Sequence, residues 1–341
     1  MSPNPRQKVL FIGGLGRSGS TLIERLLNEL PQMFSVGEST HLWERGLVDQ
    51  QLCGCGEPFL SCPHWAEVGE RAFGGWSNVD VDAVIRNRWT IDRSRRLPSI
   101  AWSHRRGRPN ERQADYIDHL SRVLVASAEV AGHPPVLLES SKHLSSAALL
   151  ALAPQLDIRL VHLLRDPRGV AYSWTKQVAR PETADGEAMP RYRPARTAAR
   201  WMTDNAGFEV LARHVPSLRV RYEDFLAEPA YWLTQMAGLA DIRAADVDLS
   251  FLQGRTVTLT RTMHSAAGNP MRFGGTTMEL AEDTAWRDKL DRRNMRTVSA
   301  ITAPLLAAYG YPIWPGSTTE AAGSGPGPHD PSVVAHEPLR R

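Results

Sequence analysis

Lysine is scarce in this chain of 341 residues. Among 40 basic residues only Lys8, Lys142, Lys176 and Lys289 are lysines, so arginine carries nearly all of the positive charge. Arginine binds phosphate and carboxylate through a planar fork, although a compositional bias of the genome explains the excess equally well. The net charge of +3 is too small for a protein that coats nucleic acid, so we expect no nucleic-acid partner.

Long hydrophobic runs and a disulfide framework are also missing. No window approaches about 18 uninterrupted apolar residues, so the sequence predicts no membrane span. The polar start at residues 1–5 leads into a strand-like run instead of a signal peptide. The three cysteines all lie within residues 53–62 and cannot form a set of paired disulfides. We therefore expect a soluble cytoplasmic protein whose fold does not need an oxidising compartment.

Short apolar runs alternate with helical patterns along the chain. The first run, V-L-F-I at residues 9–12, is followed by two glycines and then by helical periodicity over residues 20–30. Similar runs recur at residues 136–138, 158–164 and 218–222. This alternation predicts an open α/β fold, in which helices flank a parallel sheet.

The end of the chain differs in composition from the rest. Beyond Trp314 it is rich in Gly, Pro, Ser and Ala, which is typical of disorder. We therefore predict a single domain at residues 6–314 and a disordered tail at residues 315–341.

A glycine-rich turn follows the first apolar run. The string G-G-L-G-R-S-G-S-T at residues 13–21 gathers backbone N–H groups and a helix N-terminus around one point, which favours an anion. Residues 14–19 match the dinucleotide pattern G-x-G-x-x-G, and Glu38 lies about 20 residues onward. However, Pro31 and Gly37 bracket so short a run that no strand is expected to lead to Glu38.

The same turn is spaced like a Walker A loop. Ser20, however, occupies the position of the phosphate-binding lysine. The best candidate for a magnesium-binding acid, Asp166, is separated from its apolar run by Arg165. Arg17 inside the turn, with hydroxyl residues after it, suits a 5′ phosphosulfate that is handled without a metal.

Five motifs in a fixed order resemble those of the sulfotransferase family, mainly its bacterial branch. They lie at residues 14–22, 139–142 (E-S-S-K), 161–174, 220–225 (V-R-Y-E-D-F) and 264–273. The resemblance implies a fold similar to that of nucleotide kinases. It also implies transfer of a sulfonate from 3′-phosphoadenosine 5′-phosphosulfate (PAPS), with 3′-phosphoadenosine 5′-phosphate (PAP) as the product and no metal required for transfer.

Residues of the turn are the predicted contacts of the 5′ phosphosulfate. Arg17 can bridge the sulfonate and the leaving phosphate, so it is assigned both a catalytic and a binding role. Backbone N–H groups and hydroxyls then bind the 5′ phosphate, contributed by Ser18, Gly19, Ser20 and Thr21.

The resemblance assigns Arg165 and Ser173 to the 3′ phosphate. The two can reach one ligand if Arg165 ends a strand and Ser173 lies on the following helix. Tyr222 and, with less support, Trp286 are predicted to border the adenine. Two further residues are predicted to close over the nucleotide, namely Asn269 and Arg272.

Glu38 is the predicted catalytic base, because it matches the acidic base of the protein-tyrosine branch of the family. His41 is the alternative base, since many relatives use histidine. Lys142 is predicted to stabilise the leaving-group oxygen or the sulfonate.

Every cysteine of the chain lies close to one histidine. Cys53, Cys55, Cys62 and His64 could complete a tetrahedral zinc site, although C-x-C-x6-C-x-H is tighter than common zinc-finger spacings. A disulfide or plain reduced thiols are open alternatives, and no metal is assigned.

The acceptor is predicted to be a small molecule, a glycan or a lipid that offers a hydroxyl or an amine. Residues 45–112 and 177–200 are expected to determine it, and nothing in the sequence indicates an oligomeric state. Two other functions stay open at this point: an NAD-type oxidoreductase, and a nucleotide-binding protein without turnover.

Overall fold

A central parallel sheet of five strands organises the protein. The computed structural model describes residues 6–179 and 188–314. The strand order across the sheet is β2-β3-β1-β4-β5. These strands are β1 (Gln7–Gly13), β2 (Met33–Gly37), β3 (Val136–Lys142), β4 (Leu156–Leu164) and β5 (Ser217–Arg221). The predicted open α/β fold is confirmed.

Helices connect the strands and flank the sheet. The α-helices of the described residues are α1 (Ser20–Asn28), α2 (Pro63–Phe73), α3 (Val81–Ile91), α4 (Leu97–Arg105), α5 (Glu111–Val130), α6 (Leu144–Leu150), α7 (Pro167–Ser173), α8 (Pro194–Leu211), α9 (Tyr222–Ala227), α10 (Pro229–Leu239), α11 (Trp286–Lys289) and α12 (Arg292–Ala308). A π-helical turn spans Leu42–Val48. Short 3-10 turns lie at Ser39–His41, Phe59–Ser61, Trp76–Asn78, Ser94–Arg96, Ala244–Asp246 and Pro270–Phe273.

A small antiparallel sheet follows α10. Its strands pair in the order β6-β7-β8 and are β6 (Leu252–Gln253), β7 (Thr256–Thr258) and β8 (Thr277–Glu279). None of the helices in the described ranges is both long and apolar enough to cross a membrane. The predicted tail at residues 315–341 lies outside the described residues, and so do residues 180–187 of the second predicted acceptor segment.

The strand before Glu38 corrects an expectation from the sequence. We expected no strand there, but Met33–Gly37 pairs in parallel with β3. This short strand is bonded on both sides, because Ala266 N–H donates to the Val36 carbonyl at 3.1 Å. Neighbouring segments therefore supply the hydrogen bonds that make a five-residue run extended, and the local sequence does not reveal them.

The strand order separates this fold from a dinucleotide-binding fold. In the latter, the second strand lies next to the first. Here β3 lies between β1 and β2. The resemblance of residues 14–19 to G-x-G-x-x-G is therefore not accompanied by the matching topology, and this argues against the NAD-type alternative.

Alternate side chains of β1 are buried under different helices. Val9 and Phe11 pack with residues of α5, α6 and α8, whereas Leu10 and Ile12 pack with residues of α1 and α10. All four side chains are fully buried. Each contributes about 1.5–3 kcal/mol by leaving water. Apolar burial thus stabilises the centre of the sheet, while the carboxyl ends of its strands are where a ligand can bind.

Candidate active site

The glycine-rich turn lies at the carboxyl end of β1, between Gly13 and the start of α1 at Ser20. The backbone is left-handed at Arg17, with φ of 75°, and at Gly19, with φ of 96°. The Ser18 hydroxyl is buried and has no hydrogen-bond partner within the described residues. This hydroxyl and the first N–H groups of α1 can therefore bind an anion at the positive end of the helix.

Gly19 is required by a close contact as well as by its backbone conformation. A Cβ at this position would lie 2.3 Å from Cε2 of Tyr222. Tyr222 is predicted from the sequence to border the adenine. Its adenine contact stays a prediction; in the structure the ring packs against Gly19, and the Arg165 guanidinium lies over the ring at 5.0 Å. Tyr222 therefore supports the turn from below.

We expect Gly19→Ala to lower the free energy of unfolding by at least about 1 kcal/mol, because a left-handed alanine is strained and its methyl group meets the Tyr222 ring. Chemical denaturation measures this change. Gly238→Ala is the matched control: Gly238 is exposed in α10, and a Cβ there meets nothing within 4 Å. The control should be unchanged or more stable by up to about 1 kcal/mol. Wild-type stability of Gly19→Ala would contradict the described turn.

Arg165 directly follows β4 and reaches back to the turn. Its Nη1 donates to the Arg17 carbonyl at 2.9 Å, and its Nη2 lies 4.0 Å from Asp283 Oδ2. Ser173 is the last residue of α7 and is half-buried. Arg165 and Ser173 thus have the strand-end and helix positions that the sequence analysis required, and their role at a 3′ phosphate stays a prediction.

Asp166 is engaged in structural contacts. Its side chain caps α7 by accepting from Arg168 N–H at 2.8 Å, and it also pairs with the Arg168 guanidinium at 2.6 Å. Asp166 is the best candidate that the sequence offers for a magnesium-binding acid. Its carboxylate oxygens are already used by Arg168, which leaves the Walker A interpretation without support from this residue.

Glu38 and Lys142 form an ion pair at the ends of β2 and β3. Lys142 ends β3 with a left-handed φ of 69°, and its Nζ donates to Glu38 Oε1. Burial acts to raise the pKa of Glu38, but the Lys142 ammonium, helped by Arg45, outweighs it and holds the pKa below its usual range. Glu38 is therefore a carboxylate at neutral pH.

Arg17 extends towards the same region. Burial lowers its pKa, and the charge of Glu38 opposes that shift. The guanidinium donates to Met189 Sδ at 2.9 Å and lies over the Trp174 ring at 5.2 Å. Its Nε is buried without a hydrogen-bond partner in the described part of the chain. Neither Trp174 nor Met189 was expected from the sequence as a neighbour of Arg17.

His41, the alternative base, lies beside Glu38. Its Nε2 is 3.7 Å from Glu38 Oε2, and its ring meets His143 edge to face with centroids 5.5 Å apart. Burial lowers the pKa of His41 well below its usual value, and the charge of Arg45 adds to this effect. His41 is therefore neutral at physiological pH, and Glu38 carries the negative charge of this pair.

Two buried carboxylates missed by the sequence analysis hold the strand ends. Glu139 accepts from Ser39 Oγ at 2.7 Å, and burial raises its pKa to about 7. Glu24 accepts from Ser35 Oγ at 2.5 Å and from Ser140 Oγ at 2.7 Å. The E-S-S-K motif thus supplies Lys142 and also hydrogen-bonds the end of β3 to the neighbouring segments. The sequence signal that could have revealed these two glutamates is an acidic residue within or directly after an apolar run.

The residues predicted to close over the nucleotide lie on a segment that runs along β2. Asn269 accepts from Met271 N–H at 3.0 Å and caps Pro270–Phe273. Arg272 is buried and donates to the Leu52 carbonyl at 3.0 Å. Trp286 is also buried, and its ring lies 5.0 Å from the Arg168 guanidinium. Nucleotide contacts for these residues stay predictions.

The cysteine cluster has a different histidine from the one expected. Cys53, Cys55 and Cys62 lie together with His264, and the four ligand atoms are all within 4.8 Å of one another. His64 is not a member of this set; its ring stacks on His264, and its Nε2 lies 3.1 Å from Ser127 Oγ. The prediction of His64 as fourth member was wrong, since it counted only residues close in sequence.

Comparison with known proteins gives a consistent picture. A model described as "Sulfotransferase family" matches residues 10–246. The chain is 22% identical to "Carbohydrate sulfotransferase 7" of Mus musculus and to the Rattus norvegicus protein of the same name, with 89% of this chain and 74% of each relative covered. Among solved structures it is similar to "Sulfotransferase Domain from the Synechococcus PCC 7002 Olefin Synthase", at 20% identity and a TM-score of 0.53. That alignment covers 92% of this chain and 98% of the other, which confirms the nucleotide-kinase-like fold.

Proposed function

Because this chain belongs to the sulfotransferase family, we propose that it transfers the sulfonate of PAPS to an acceptor hydroxyl and releases PAP. One observation carries the proposal. Arg17, Lys142 and Arg165 lie at the carboxyl ends of three neighbouring strands. Glu38 lies beside Lys142 and close enough to Arg17 for its charge to act on that guanidinium. Such an arrangement offers three positive charges to a multiply charged donor and one carboxylate to the acceptor.

The donor is oriented by the turn and by Arg165. The N-terminus of α1, the Ser18 hydroxyl and the Arg17 guanidinium bind the 5′ phosphosulfate. Arg165 and Ser173 bind the 3′ phosphate. The hydrogen bond of 2.9 Å from Arg165 to the Arg17 carbonyl supports this assignment, because it places the proposed 3′-phosphate residue next to the turn that is proposed to bind the 5′ phosphosulfate.

The transfer step is an in-line displacement at sulfur. The acceptor oxygen forms a new S–O bond while the bond between sulfur and the 5′-phosphate oxygen breaks, and the electron pair leaves with PAP. Glu38 takes the hydroxyl proton. Arg17 and Lys142 stabilise the negative charge on the sulfonate oxygens and on the leaving oxygen. These residues supply positive charge without a metal.

Lys142 has two successive partners in this mechanism. In the free protein it forms an ion pair with Glu38. The phosphosulfate competes for the ammonium when it binds, and removal of the cation from Glu38 raises the pKa of that buried carboxylate. Donor binding thus makes Glu38 a stronger base at the point when the acceptor must lose its proton.

The acceptor is a hydroxyl of a carbohydrate, a small molecule or a lipid. The name of the two rodent relatives supports the carbohydrate class. A panel of sugars, phenols, lipid alcohols and amines, incubated with 35S-labelled PAPS, tests this choice. Label transferred only to amines would contradict the hydroxyl acceptor, and no transfer to any acceptor with intact PAP binding would favour a binding protein without turnover.

We expect Arg165→Ala to weaken PAP binding by about 10- to 150-fold, the worth of a charge-assisted hydrogen bond. Calorimetry with PAP and ADP in magnesium-free buffer measures the change. ADP lacks the 3′ phosphate, so its affinity should change much less. Arg159→Ala is the matched control, because Arg159 lies on the same strand but pairs with Asp157 and Asp241.

The control Arg159→Ala should bind PAP like the wild type. Equal losses of affinity for PAP and ADP in Arg165→Ala would show that Arg165 does not bind the 3′ phosphate. Wild-type protein that binds NAD and not PAP would contradict the proposed donor itself.

A further inference from the structure

The four-residue cluster of Cys53, Cys55, Cys62 and His264 has the dimensions of a metal site. Cys62 Sγ lies 3.3 Å from His264 Nδ1 and Cys55 Sγ lies 3.6 Å from Cys62 Sγ. Cys53 Sγ lies 3.9 Å from the same Nδ1. Tetrahedral zinc, with Zn–S of about 2.3 Å and Zn–N of about 2.0–2.1 Å, needs about 3.8 Å between sulfurs and about 3.5 Å between sulfur and nitrogen. We propose that these residues bind a structural zinc ion.

Three thiolates and one imidazole are the ligands of a closed structural zinc site. All three cysteines are free thiols, and Cys53 and Cys62 are buried. A disulfide between any two of them would leave the third thiol and His264 without a role. A zinc ion uses all four groups, and it leaves no open coordination position for substrate.

The loop that carries the cysteines is folded tightly around them. Gly56 N–H donates to the Cys53 carbonyl at 2.8 Å, and Gly56 has a left-handed φ of 94°. Cys53 N–H donates to the Glu57 carbonyl at 2.8 Å, and Cys62 N–H donates to the Pro58 carbonyl at 3.0 Å. These backbone hydrogen bonds hold the cysteines in position for a metal.

His264 is oriented by His64, the histidine that the sequence suggested as the fourth ligand. The His264 ring stacks on His64 with centroids 5.0 Å apart and planes inclined at 24°. The His64 ring is itself anchored by Ser127 at 3.1 Å. This stacking fixes the imidazole plane so that Nδ1 points at the sulfurs of Cys53 and Cys62.

The zinc ion joins two segments that are far apart in sequence and meet beside Glu38. Gly54 N–H donates to the Ser265 carbonyl at 3.1 Å, and Glu38 N–H donates to the Ala267 carbonyl at 3.2 Å. A Cβ at Gly54 would lie 2.6 Å from Ser265 Oγ, so the two segments are in direct contact. If the proposed function holds, the zinc ion therefore links the cysteine loop to the segment of His264 and Ala267, and so fixes the segment that is hydrogen-bonded to the catalytic base.

Metal analysis of the full chain tests the site without any assay of activity. Protein produced with zinc in the medium and passed through a desalting column should contain one zinc ion per chain by mass spectrometry. Cys62→Ser and His264→Ala should each lose most of it. His64→Phe is the matched control, because it keeps the stacking ring but cannot bind a metal, and it should retain zinc.

Cobalt provides a second readout that does not depend on a folded variant. Wild-type protein freed of zinc by a chelator should unfold at a lower temperature, and zinc but not magnesium should restore the original value. Cobalt added instead should give the intense visible bands of a tetrahedral thiolate complex. Zinc-free wild type that takes up neither ion, or loss of zinc in His64→Phe with retention in His264→Ala, would overturn the proposal.

These readouts separate the metal site from the proposed function. If wild-type protein binds zinc but not PAP, the donor assignment fails and the zinc site stands. If it binds PAP with equal affinity before and after treatment with the chelator and never takes up zinc, the zinc site fails and the donor site stands.

Discussion

Glu38→Gln is expected to lower kcat by about 10²- to 10⁴-fold, the usual contribution of a general base. The amide keeps the size of the side chain but cannot accept the acceptor proton. Because the pKa of the Glu38 carboxyl is held below its usual range, the free wild-type enzyme should keep kcat/KM as the pH falls towards 5. The value of kcat/KM for PAPS should be lost only as the pH drops through that lowered pKa, whereas kcat, which reports the donor-bound state in which Lys142 has left Glu38, should fall at a higher pH.

Single-turnover transfer of 35S from PAPS, with PAP affinity measured in parallel, tests this expectation. PAP should bind Glu38→Gln at least as tightly as the wild type, since Lys142 no longer has a carboxylate partner. His41→Gln is the matched control, because His41 borders Glu38 and is neutral. Loss of transfer in His41→Gln with full activity in Glu38→Gln would identify His41 as the base.

Arg17→Ala is expected to lower kcat by about 10²- to 10³-fold, as the removal of a donor from developing charge does in other enzymes. The guanidinium donates to Met189 Sδ and lies over the Trp174 ring, so these contacts restrict its position before the donor binds. Arg17→Lys should keep part of the activity, because it retains the charge but loses the planar fork.

Arg196→Ala is the control for the loss of one nearby positive charge. Arg196 lies over the Tyr192 ring, and that ring packs on Trp174. It has no part in the proposed mechanism, so kcat should hardly change. If Arg17→Ala transfers sulfonate at the wild-type rate, or if Arg196→Ala is equally impaired, the role of Arg17 at the sulfonate is wrong.

The variants Arg165→Ala, Arg17→Ala and Glu38→Gln should differ in whether they change PAP affinity or kcat. Loss of Arg165 should appear in PAP affinity, because its predicted partner is a phosphate that is charged throughout the reaction. Loss of Arg17 or Glu38 should appear in kcat, because their partners gain charge or lose a proton only during the transfer. A common loss of affinity in all three would indicate a collapsed site.

Local patterns in the sequence predicted the parts of the fold that depend on neighbouring residues. The apolar runs at β1, β3, β4 and β5, alternating with helical patterns, predicted buried strands, and the structure has strands there. The glycine-rich turn specifies the left-handed backbone before α1. Arg165 was expected at a strand end and Ser173 on a helix for the same reason, and the structure has both there.

Contacts between distant residues were decided by the tertiary structure alone. The strand β2 depends on hydrogen bonds from β3 and from Ala266, and Lys142 meets Glu38 across a separation of 104 residues. His264 joins Cys62 across 202 residues, while His64, two positions from Cys62, does not. Periodicity and glycine positions encode backbone conformation, but the order of strands in the sheet determines which side chains meet.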